Sequence, residues 1–245
     1  MRAEVTREMF EEAIAPLLTS AGLTARAGQG TATGDAPGWL DIDQTTIAPG
    51  SVLAIPLGFG DLKLAAVGTA THVKDDGTVL GFGHAMTGSG DTAMPVATGY
   101  VHMVLPRRSI SFKLGAPGKI VGTLVRDENA AVVGKPGIGF ETAPMTVAVN
   151  RPGQPAETFN YTVVRHPQFS PIVAVTVMLQ SLLAQQGLPA ESTVRVQGEL
   201  TFDGGRVLPI DAIAPRAAPQ QLVFQILPGI AAMAQNPHGV AQLTR

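Results

Sequence analysis

Between Ser51 and Val164 the chain is broken into short runs rich in β-branched residues, and no other feature limits its fold so tightly. The runs SVLAIPL, LKLAAVGTATHV, TVLGF, YVHMVLP, SISFKLG, KIVGTLV, AAVVG, MTVAVN and TFNYTVV are bounded by Gly, Pro, Asn or Asp. Short strands at that spacing predict a mainly β fold, a barrel or a sandwich. KDDGT at 74–78 predicts a hairpin turn, with Gly77 suited to positive φ. A second hairpin is expected from STVRVQGELTF and RVLPI, joined by Asp203-Gly204-Gly205.

Helical signals flank this region. Phe10, Ala13, Ile14, Leu17 and Leu18 share one face of an N-terminal helix, with Thr6 as its cap, Val5 and Phe10 as a staple and Gly22 past its end. ARAGQGTATGDAPG at 25–38 has the composition of a linker. The window PIVAVTVMLQSLLAQQG at 171–187 is shorter than the roughly 20 residues that span a bilayer, and it predicts a buried helix. QQLVFQILPGIAAMAQN near the end is helix-like but broken at Pro228-Gly229. The expected organisation is a helix plus linker over 1–47, a β-rich domain over 48–212 and a helical tail over 213–245. No repeat of fixed period is visible.

Composition closes off several kinds of function. The chain has 245 residues, enough for a core that needs no covalent staple. It has no Cys, which excludes disulfides, thiolate catalysis and Cys-ligated zinc or iron–sulfur sites. Its net charge is −2 and it carries no Lys/Arg block, so nucleic acid is not an expected partner. Charged residues are 15% of the chain, against roughly 25% in an average soluble domain. With a mean hydropathy of +0.21, that deficit suggests a surface partly covered by another domain or chain. The opening MRAEVTREMFEEAIAPLLTSAGL lacks the apolar core of a signal peptide.

The chemistry concentrates in GFGHAMTGSGDT, residues 81–92. His84 ends an apolar run among Gly81, Gly83, Gly88 and Gly90, where a strand leaves its sheet. An imidazole there can act as general base if a nucleophile lies within hydrogen-bond reach. Gly83, Gly88 and Gly90 would let the backbone of a substrate strand pass closely. The competing reading is a turn, with His84 as a loop cap and the glycines serving the chain reversal. Asp91 is placed either to orient His84 or to cap the turn beside Gly90, and Asp61 and Asp127 are weaker candidates. His72 and His102 lie on predicted strands and would make a three-histidine zinc site only by converging on His84; no compact ligand spacing supports it. His166 and His238 flank prolines and are expected at the surface. GKPGIG at 134–139 lacks the order of a phosphate loop, and no cofactor motif is present. Arg107-Arg108 is one basic step, not a patch.

Gly83-His84, Asp91-Thr92, and Lys113, Gly115 and Gly118 in SISFKLGAPGKIVGT occur in the order seen in SpoIVB-type serine peptidases, which the chain resembles over about residues 48–137 and more weakly to about 212. The resemblance implies a chymotrypsin-like β-barrel or derivative, His84 as general base, and an extracytoplasmic or cell-envelope location. It also implies a nucleophile in a Gly-x-Ser-Gly-x-Pro turn, beside an oxyanion hole of backbone N–H groups. None of Ser20, Ser51, Ser89, Ser109, Ser111, Ser170, Ser181 and Ser192 has those flanks; Ser89, in TGSGD, comes nearest but lies five residues from His84. Longer members of the group carry the serine turn ahead of this region. The chain therefore resembles their C-terminal, histidine-bearing part, inactive alone and completed by an N-terminal peptidase segment or partner chain. A pseudopeptidase that lost its catalysis fits the same residues. The alternative is a non-catalytic envelope binding or assembly module whose sheet edge captures an extended peptide.

Overall fold

The computed structural model describes residues 15–16, 46–61, 64–106, 108, 112–137, 139–183, 191–215 and 218–245. The fold is mainly β, with ten strands and two helices among the described residues. The chain forms two compact units, and the expected β-rich stretch 48–212 is divided between them at Thr142. Of the expected N-terminal helix only residues 15–16 are described, and both are helical; the linker at 25–38 lies outside the described residues.

The first unit holds most of β1 (Val52–Gly60), then β2 (Leu64–Val73), β3 (Val79–Gly81), β4 (Gly90–Leu105), β5 (Phe112–Glu128) and β6 (Ala131–Pro136). Each strand pairs with two others in the closed ring β1–β2–β3–β6–β5–β4. Closure leaves the ring without open edges and surrounds a filled interior. Leu53, Ile55 and Leu57 of β1 meet that requirement together with Met94, Val96, Leu124 and Val132, all buried. The intervening Val52 and Ala54 are buried too, in a cluster with Ala97, Val67 and Val101. β1 is thus covered on both faces, which explains why its sequence is apolar without alternation.

The two longest strands differ from expectation. GDTAMPVATG carries no strand signal, yet it forms the first ten residues of β4. Ala116-Pro117-Gly118 reads as a break between two runs, yet β5 passes straight through it. The β4–β5 ladder absorbs these residues as register shifts at Asp91/Met94, Val96/Ala97, Ala97/Gly99 and Val101/Met103. Gly and Pro here mark bends in continuous strands of a closed barrel, not their ends.

The second unit contains Gly58–Gly60 at the end of β1, paired with β8 (Glu157–Val164), which pairs in turn with β7 (Thr142–Val149). Helix α1 (Phe169–Leu183) packs on both β7 and β8, as its all-round apolar sequence requires. β9 (Val194–Phe202) and β10 (Arg206–Ala214) form the expected hairpin across Asp203-Gly204-Gly205. Helix α2 (Pro219–Ala234) packs on α1 and β10. It is not interrupted at Pro228-Gly229: Pro228 sits inside it. The carbonyl that Pro228 deprives of a donor belongs to Phe224, which is exposed, so water can satisfy it.

His166 also departs from expectation, for it is buried and not at the surface. Its Nδ1 accepts the N–H groups of Gln168 and Phe169 at the start of α1, at 3.2 and 3.4 Å. The backbone N–H of His166 donates to the Ser170 hydroxyl, which donates to Val164 O. A histidine beside a proline thus serves as a helix cap. Among the described residues no helix is long and apolar enough to cross a membrane.

Leu53 is fully buried at the centre of β1, with its side chain against Gly81. Leu53→Ala is expected to lower unfolding stability by about 3 kcal/mol, the cost of an unfilled core site, as read from urea denaturation.

Candidate functional site

The loop between β3 and β4 carries the motif, and its form comes from two devices. The first is a turn about Phe82, which has φ 68° while the Gly83 N–H bonds back to Gly81 O at 2.9 Å. A two-residue closure of this kind at positive φ is a γ-turn, rare and costly for a bulky side chain. Phe82 is held in it by its own N–H on Thr69 O and by its ring over Gly68, where a side chain would collide with it. The second device is Asp127, fully buried near the end of β5. Its carboxylate accepts the N–H groups of Met86, Thr87 and Gly88 at 2.7, 2.7 and 2.9 Å, and the Thr87 hydroxyl at 2.9 Å.

These bonds determine the protonation state of Asp127. Burial pushes the carboxyl up, but the Thr87 and Met86 N–H groups, the Thr87 hydroxyl and the Gly88 N–H together outweigh it. The group therefore lies below the ordinary carboxylate range. Asp127 is an anion that pins the loop backbone, and its recorded bonds do not reach an imidazole.

His84 projects from the pinned loop into solvent. Its Nδ1 lies 2.6 Å from Ala85 O. A carbonyl only accepts, so Nδ1 carries the proton and Nε2 of the neutral ring keeps its lone pair. No hydrogen bond engages Nε2 among the described residues. The Phe82 ring lies beside the imidazole, with centroids 5.9 Å apart. The loop thus presents a histidine in the tautomer a general base needs, oriented by a backbone carbonyl where a triad would use a carboxylate.

The other candidates fall elsewhere. Asp91 does not orient His84; it is exposed on β4 and accepts from Arg126 Nε at 3.0 Å. Asp61 receives the Asn160 N–H in the second unit. Ser89 is exposed, with no hydroxyl bond to His84, and Ser109 and Ser111 lie outside the described residues. Gly83, Gly88 and Gly90 have φ of 77°, 70° and 73°. Their added Cβ atoms would meet nothing closer than 3.4 Å, so within the chain the loop needs them for backbone conformation and not for packing against a neighbour. His72 and His102 are exposed on β2 and β4, with His102 edge-on to Tyr100, and the described residues contain no group that could hold a metal. His238 is exposed, as expected.

The sequence placed His84 in this loop but held no short-range sign of what shapes it. Asp127 lies about 40 positions from the amides it binds, and only the β4–β5 ladder, where Gly90 faces Asp127, brings them together. Compared with known proteins, the chain matches no family model, no curated protein and no solved structure.

Asp127→Asn should cost about 2 kcal/mol of stability, because an amide turns donors toward the N–H groups that the anion accepts. Amide exchange at Met86, Thr87 and Gly88 should quicken. Because the folded-state carboxyl is lowered, its contribution is complete above the unfolded-state value and fades as pH falls through the folded-state one. Urea titrations across acidic pH should show this loss in the parent chain and a flatter profile in Asp127→Asn.

Proposed function

We propose that this chain is the histidine-bearing part of a SpoIVB-like serine peptidase or pseudopeptidase, with no hydrolytic activity of its own. The observation that carries the reading is the state of His84: Nδ1–H on Ala85 O, Nε2 without a hydrogen bond among the described residues, and the ring exposed on a strained and anchored loop. The γ-turn holds Phe82 at positive φ at some cost in stability, and such costs gather at functional sites. The closed ring of β1–β6 also occupies the stretch that carries the resemblance, which supports a chymotrypsin-like barrel or a derivative.

In this reading His84 Nε2 takes the proton of a serine hydroxyl supplied from outside the described residues, and the Ala85 carbonyl keeps the ring in register. A carbonyl orients the imidazole without a full negative charge to stabilise the imidazolium. Turnover would accordingly be slow unless the completing segment brings a carboxylate. The setting is extracytoplasmic or at the cell envelope, following the resemblance.

A second reading is a non-catalytic binding or assembly module. It is favoured by the engagement of Asp91 with Arg126, which leaves His84 without a carboxylate.

Labelling with a fluorophosphonate separates these readings. The chain alone should not react. The protein isolated from its native source should react at a serine outside these residues, and His84→Ala should reduce labelling by at least 100-fold, the scale of a general base. Labelling that His84→Ala leaves unchanged would exclude His84 as base. Labelling of the isolated chain that Ser89→Ala removes would instead make it an autonomous hydrolase.

A further inference from the structure

The second unit contains a cleft of about 1040 Å³ that has no part in the His84 loop. Its two long walls are Pro144–Val149 of β7 and Val194–Leu200 of β9, with Met178 and Leu182 of α1 on its apolar side. β7 ends its sheet and β9 ends its hairpin, so each wall is the edge of a sheet.

The pairing pattern shows which backbone groups those edges leave open. In an antiparallel pair, alternate residues turn both N–H and C=O away from the partner strand. Asn160 bonds Asp61 through both its N–H and its C=O, on the side of β8 opposite β7. Its β7 partner Thr146 therefore points both groups away from β8, as do Ala148 and the carbonyl of Pro144. Pro144, which has no N–H, stands where a proline leaves the ladder intact. On β9, Thr201 uses both groups for the chain's own tail: its N–H bonds Arg245 O, and its O accepts the N–H groups of Thr244 and Arg245. Two-residue alternation puts the N–H and C=O of Glu199, Gln197 and Arg195 on the same edge. Glu199 faces Pro209 of β10, again a place where no ladder donor is lost. None of these open groups has a backbone partner among the described residues.

The tail is direct precedent for pairing on this edge. Leu243 faces Phe202 in an antiparallel bridge, so β9 already takes an added strand beside the cleft. A strand residue fills roughly 3.3 Å along the chain, 4.8 Å across the sheet and 10 Å between layers, so the cleft volume suits about six residues. Gly198 lies on the inward face of β9 between Val196 and Leu200, and nothing stands within 4 Å of its missing Cβ. That gap leaves room for one inward side chain of an occupant.

We propose that the β7–β9 cleft receives an extended segment of a partner polypeptide, antiparallel to β9, with apolar residues at alternate positions facing Met178 and Leu182. Backbone bonds to both edges would supply its affinity, and the apolar side of the cleft its selectivity. This inference stands apart from the reading of His84 and would survive its failure.

The test uses the full chain and a pool of synthetic octapeptides with Val, Ile or Tyr alternating with Thr, Lys or Glu. Amide exchange is measured residue by residue with and without the pool at millimolar concentration. Exchange at Thr146, Ala148, Arg195, Gln197 and Glu199 should slow at least tenfold, while Val147, already bonded to β8, should not change. Gly198→Leu, which fills the gap, and Thr146→Pro, which removes an outward N–H but no ladder bond, should each abolish the protection and leave the exchange of other strands intact. No protection in the parent chain would overturn the proposal, as would protection that persists in Gly198→Leu. Protection that depends on protein concentration without peptide would overturn it in favour of a second copy of the chain.

Discussion

Backbone pairing along β1 is the constraint on which the rest of the structure depends. Val52–Leu57 are buried on both faces, and the strand closes the ring by pairing with β2 on one side and β4 on the other. The same strand then runs on as Gly58–Gly60, the partner of β8 in the second unit. A closed barrel tolerates no frayed edge among its members, because each unpaired N–H or C=O would lie against an apolar interior or neighbour. The short β3 and the bent β4 and β5 are the shapes their sequences take once that closure is imposed.

The His84 loop depends on the same closure at one remove. Asp127 reaches Met86, Thr87 and Gly88 only because β5 runs beside β4, and the γ-turn at Phe82 holds only because β2 supplies Thr69 O and the bare backbone of Gly68. The loop is a place where local preference and tertiary structure disagree: a phenylalanine sits at positive φ. In proteins such disagreements mark positions kept for something other than stability. Here they leave His84 exposed, with one ring nitrogen bound and the other without a hydrogen bond among the described residues.

The two units offer different kinds of recognition. The barrel presents an exposed histidine on an anchored loop. The second unit presents two strand edges whose open backbone groups suit another strand. Pro144 on β7 and Pro209 on β10 stand where a missing N–H costs the existing ladders nothing. That placement keeps the hairpins intact while their outer edges remain open.

The sequence by itself determined the mainly β class, most strand positions, the β9–β10 hairpin and the buried α1, because these follow from β-branched runs, turn residues and apolar length acting over a few positions. It also singled out His84, whose glycine-flanked setting is local. It misjudged what depends on distant partners. Pro117 and Gly118 read as a break but sit within β5, Pro228 lies within a helix, and His166 is a buried cap. The role of Asp127 and the facing edges of β7 and β9 were invisible, since hydrogen bonds across about 40 residues and the register of unlinked strands leave no short-range pattern. Only the tertiary structure decided them, because the fate of a polar group depends on which partner the fold brings within about 3 Å.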